Sequence, residues 1–258
     1  MRSIVVEFGR NSHQSTLDRY IRGEDVPRAE LEQVWKTTQV GGGGSPIYPA
    51  FFAAVRDVNL KLPAGARVRV FGAEGAPGLS GEATAVTFLK QQVLEKHGKA
   101  LVIYGYSHFW RAEPPEMLRR DGGVETGIVR MLEKDHPGRT VAVIPVGNPP
   151  SRWPSQNAKA DYSRFDRAIK TPVRPVLISL QRSPFRDFPA EEFGGDVVVC
   201  GGTGGVPKQP KGKIPSAPVV KASGPCVSVF QGSSVTLGQL ADAVVYFGPE
   251  AGVRHPPH

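Results

Sequence analysis

Ile4-Val5-Val6-Glu7-Phe8-Gly9 is a short apolar run interrupted by one acid and closed by a glycine. A continuous apolar run of this length, ended by a turn residue, suits a strand buried on both faces. Ala100-Leu101-Val102-Ile103-Tyr104-Gly105 has the same form, and Val68-Arg69-Val70-Phe71 lies between them. The intervening segments carry helical spacing. Ser15 to Ile21 reads as a helix stopped by Gly23. A second helix starts near Pro27 and puts Leu31 and Val34-Trp35 on one face. Phe51-Phe52, Val55, Val58 and Leu62 line a third, ended by Pro63 and Gly65. The glycine run from Gly41 to Ser45 and the stretch Gly72 to Gly81 read as loops, followed by a helix from about Glu82 that Gly98 closes.

Further along, a helix over Ile128 to Glu133 precedes strands over Thr140 to Val146, Pro175 to Leu180, Val197 to Cys200 and Cys226 to Phe230. Thr236 caps a short helix before a last strand at Val244 to Phe247. Alternating strand and helix implies crossover units and a parallel sheet. The expectation is an α/β fold: three layers, a largely parallel central sheet that turns mixed in the last third, and flanking helices, in a single domain over residues 1–258.

At 258 residues, 40% hydrophobic and 22% charged, the composition is that of a globular protein. No stretch is apolar enough to span a bilayer, and the start lacks the pattern of a secretory leader, so a cytoplasmic location is expected, unless a leader precedes this sequence. The net charge of +8 is scattered among acids. The exception is Gly202 to Gly224, which holds Lys208, Lys211, Lys213 and Lys221 with no acid among glycines and prolines. It is expected to be a flexible loop, first to be cut by trypsin, and residues 254–258 a frayed tail. No nucleic-acid motif accompanies this charge, which argues against a nucleic-acid partner. Cys200 and Cys226 show no metal-ligand spacing, and in a reducing compartment they read as separate thiols.

Parallel sheets gather chemistry at the carboxyl ends of their strands. Glu7 is an acid within an apolar strand, so it requires a partner: a backbone donor, Arg19, a histidine or a metal. His108 follows the end of another such strand, where an imidazole can act as acid, base or ligand. Arg111 could hold an oxyanion or a phosphate, or extend to solvent. His13 and Gln14 open a helix whose N-terminus could attract an anion. The GxSxG elbow and the HExxH signature are absent, and Gly201 to Gly205 lacks the GK[ST] ending of a phosphate loop.

Ile4 to Gly9, Asp18-Arg19-Tyr20-Ile21 with Gly23-Glu24-Asp25-Val26, Val34-Trp35, the strand Ala100 to Gly105 with His108, and Thr236 to Pro249 together resemble the erythromycin esterase, ChaN and TIKI superfamily. In that group a GExH histidine is paired with a glutamate on the next strand and a histidine on a later one. The resemblance implies that Glu7 is that glutamate and His108 that later histidine. The GExH histidine has no counterpart ahead of Glu7, and Gly72-Ala73-Glu74-Gly75-Ala76-Pro77 stands where relatives carry Gly-Asp-Pro-Pro. The superfamily includes esterases, metal-dependent proteases and a haem binder. The resemblance therefore implies a hydrolase acting on a small-molecule ester or a peptide, with Glu7, His108 and Arg111 as candidate catalytic residues. The alternative is a non-catalytic protein binding haem or a divalent metal.

Overall fold

The computed structural model describes residues 1–38, 45–75, 79–113, 127–146, 163–169, 173, 175–193, 198–200, 226–228, 230 and 232–248. The expected loop at 202–224, the tail at 254–258 and most of the glycine run lie outside them. The fold is α/β, and the chain groups into two compact units: residues 1–109 with 123–140, and residues 110–122 with 141–258.

In the first unit, β1 (Ser3–Arg10) leads through α1 (Gln14–Arg22), α2 (Arg28–Lys36) and α3 (Ile47–Leu60) to β2 (Arg69–Glu74). α4 (Gly81–Phe88) then leads to β3 (Ala100–Ile103), and α5 (Ile128–Asp135) follows. The strands form a parallel sheet in the order β2-β1-β3, so the first strand of the chain is the central one. Alternation along β1 sends neighbouring side chains to opposite faces. Val6 packs with Leu17, Ile21, Val34, Trp35, Phe52 and Val55 of α1 to α3, while Val5 packs with residues of α4, α5 and the turns after α4. The sheet of this unit is thus covered by helices on both faces, which is why its strands read as unbroken apolar runs.

Local chemistry sets the helix ends. Gly23 terminates α1 at φ +104°, a left-handed position that favours glycine. Pro27 stands just before α2 rather than inside its first turn. α3 starts earlier than its apolar pattern suggests, at Ile47 after Pro46. Ser80 caps α4 by accepting from the Ala83 N–H. After α4 the helix widens over Leu89–Leu94, where the Glu95 N–H reaches back to the Lys90 carbonyl.

β2 continues through Gly72-Ala73-Glu74, a stretch expected to be loop. Pairing with β1 accounts for it: Val6 faces Gly72, Arg10 faces Glu74, and the register slips between them. The slip is a bulge that spans Glu7, Phe8 and Gly9. Glycine is needed here for closeness. A Cβ on Gly72 would stand 2.7 Å from the Gly9 carbonyl carbon and oxygen.

The second unit holds β4 (Val143–Val146), α6 (Ser163–Ala168), β5 (Val176–Ser179), α7 (Ala190–Phe193), β6 (Val198–Cys200), β7 (Cys226–Ser228), α8 (Leu237–Leu240) and β8 (Ala243–Tyr246). β8 pairs parallel with β4 and antiparallel with β5, a mixed sheet, and β6 and β7 form a separate antiparallel pair. β4 starts three residues into its apolar run, β5 is one residue shorter at each end, and β8 starts and ends one residue earlier than expected. Phe165 stacks on Phe185 and Tyr246, and the Tyr246 hydroxyl donates to Asp166 at 2.9 Å. No helix among the described residues is long and apolar enough to cross a membrane.

Candidate functional site

Glu7 shares its face of β1 with Val5, so it points toward α4 rather than toward α1 to α3. His108 lies in the helical turn Tyr106–Phe109 that follows β3. Because β3 is the direct neighbour of β1, the turn after β3 falls beside the end of β1. The structure brings the two expected residues together. Glu7 Oε2 accepts from the Gly105 N–H at 2.7 Å, and Glu7 Oε1 stands 3.4 Å from His108 Nε2. Both side chains are partly buried, 29% exposed for His108 and 20% for Glu7.

Sequence reading missed a third member. His108 Nδ1 lies 2.6 Å from Oε1 of Glu82, in the first turn of α4. The same oxygen accepts from the Gly127 N–H at 3.0 Å, just before α5. An acid in a first helical turn complements the helix dipole, so Glu82 looks like an ordinary helix residue. Only the approach of the α4 N-terminus to the turn after β3 reveals its partner. Tyr104 completes the wall, with its ring edge-on to His108 at 5.5 Å and its hydroxyl donating to the Gly81 carbonyl at 3.2 Å.

Burial acts to lower the His108 pKa, but the bonds to Glu7 and Glu82 outweigh it and raise the value to about 9. Burial acts to raise the Glu7 carboxyl, and the His108 and Gly105 bonds pull it below its ordinary value. Tyr104 is pushed upward by burial, then by the nearby Glu7, Glu82 and Glu74 carboxylates. At neutral pH the centre is therefore an imidazolium between two carboxylates. Such a group can give a proton to a developing negative charge, while the adjacent carboxylate can hold or deprotonate a water.

The other candidates make contacts of their own. Arg19, a possible partner for Glu7, bonds Glu24 and Glu30 instead. The Gln14 side chain donates to the Val70 carbonyl and Asp18 and accepts from the Gly72 N–H, tying α1 to β2. Arg111 belongs to the second unit, where its Nε and Nη2 donate to Asp242 Oδ2 at 3.0 and 2.7 Å. Among the described residues no group of three or more His, Cys, Asp or Glu is arranged to hold a metal ion. His108 as an imidazolium presents hydrogens, not a lone pair, at both nitrogens.

No family model and no curated protein matches the sequence. The structure is similar to the crystal structure of a Bacillus cereus protein. The TM-score is 0.51 at 13% identity, over 96% of this chain and 80% of that one. That likeness is one of fold.

Proposed function

We propose that this chain is a hydrolase-like protein of the erythromycin esterase, ChaN and TIKI type, acting on an ester or peptide through Glu7 and His108. The observation that carries the reading is the 3.4 Å approach of these two side chains, supplied by β1 and by the turn that follows its parallel neighbour β3. Glu7, held anionic, takes a proton from the attacking water. His108, held protonated, gives its proton to the leaving group. Glu82 is a positioning residue that fixes the imidazole through Nδ1. The order of charges matters: a histidine serving as base would have to be neutral, and this one is protonated up to about pH 9.

The test is turnover of a panel of aryl and alkyl esters, lactones and peptides by the full chain. Glu7→Gln and His108→Gln should each lower kcat at least a hundredfold, as expected of general acid–base groups, with an unchanged circular dichroism spectrum. The rate should stay level through neutrality and fall above about pH 9. Turnover that survives both substitutions sinks the reading. Saturable binding of haem or a divalent metal, without turnover of any substrate, would replace it with the binding alternative.

A further inference from the structure

We propose that Cys200 and Cys226 form a reversible intrachain disulfide that joins the end of β6 to the start of β7. They are the two cysteines of the chain, and the antiparallel pairing of β6 with β7 sets them directly opposite one another. Cys200 is the last residue of β6 and Cys226 the first of β7, so the pair stands where the intervening segment leaves and rejoins the ladder.

Directly opposed residues of an antiparallel ladder have Cα atoms ~4.5 or ~5.5 Å apart. Disulfides span Cα separations of ~4.4 to 6.8 Å, so the Cα spacing of either pairing type lies within that range. A one-residue slip would place the two positions on opposite faces of the ribbon.

The ladder itself gives the bond a purpose. Three residue pairs join β6 to β7. An isolated two-stranded sheet is marginal in water, so this ribbon depends on whatever else restrains it. A bond between the last residue of β6 and the first of β7 restrains it by shrinking the open ensemble. The chemistry balances with a disulfide as oxidant. A Cys thiolate attacks oxidised glutathione and releases one glutathione thiol. The second Cys thiolate then attacks the mixed disulfide and releases the other. The protein gives up two protons and two electrons, and the oxidant becomes two thiols. Low-molecular-weight thiols reverse both steps. The inference stands independently of the Glu7–His108 reading.

The test uses the full chain equilibrated with oxidised or reduced glutathione, denatured, and treated with iodoacetamide. The oxidised protein should take up no label before reduction and label both cysteines after it. Digestion after lysine and arginine without reduction should leave residues 187–208 joined to residues 222–254, two hydrogens lighter than the separate peptides. A register control, Cys200→Ser with Val199→Cys, should link at least tenfold less at the same redox poise. Two freely alkylated thiols, glutathione retained on each cysteine, or a bond joining two chains would overturn the proposal. So would a control that links as readily as the native pair.

Discussion

His108 is contacted by a carboxylate at each ring nitrogen, so its proton is held from two sides. The consequence for stability has a definite sign. Its pKa rises on folding from the ordinary 6.5 to about 9. Folding therefore favours the protonated form. The associated stability is complete below pH 6.5 and is lost as pH climbs to about 9. The carboxyl of Glu7 moves the other way, so its contribution is complete above 4.5 and fades on acidification. Together they set a plateau between about pH 4.5 and 6.5. Urea unfolding should show a fall of up to ~3 kcal/mol from that plateau to pH 9. His108→Gln should abolish most of the alkaline fall, and Glu82→Gln should lower the His108 pKa measured by NMR. An alkaline limb equally steep in His108→Gln would assign it to other groups.

At the scale of elements, the bulge in β1 and the glycine contact beside it decide where Glu7 stands. Gly72→Ala would place a methyl group 2.7 Å from the Gly9 carbonyl, against backbone that cannot step aside. The strands must separate, at a cost of ~1–3 kcal/mol. The same separation carries Glu7 away from His108, so the His108 pKa should fall along with stability. Loss of stability with an unmoved His108 pKa would show that the bulge does not aim the carboxylate. The element also illustrates what a sequence can disclose. Glycine at 72 reads as a loop because its intrinsic preference is for turns. Its reason here is the approach of another backbone, which no local pattern encodes. By contrast, Ile4 to Phe8 and Ala100 to Tyr104 are legible as strands because both faces of their sheet are covered. Glu7 and His108 are legible because a carboxylate in an apolar run and an imidazole after one each need explanation. Glu82 and the Asp242 partner of Arg111 need none locally, and their roles appear only when distant elements pack.

For the molecule as a whole, polar side chains hold segments that are far apart in sequence. In the first unit, buried Asn59 accepts from the Val68 N–H and donates to the Ile21 and Val68 carbonyls, joining α3 to the end of α1 and the approach to β2. In the second, Asp242 accepts from Arg111 and from the Ala142 N–H, fixing the entries to β4 and β8 together. Asp242→Ala removes the acceptor of both, and ~2–3 kcal/mol of stability should go with it. Amide exchange at Ile144 and Val244 should quicken accordingly. Unchanged exchange there would mean that the sheet closes without this carboxylate.

The strand at the centre of the first unit is made before both of its neighbours. β1 needs β2 on one side and β3 on the other, and β3 ends at Ile103. At a synthesis rate of ~5–20 residues per second, the strand waits ~5–20 s for its second neighbour. During that interval its apolar run is without the sheet that buries it, and Glu7 is without the imidazole it will hold. On the ribosome, then, the proton-holding centre is completed late. An apolar strand left waiting in this way is the kind of short stretch that a chaperone could grip until β3 emerges.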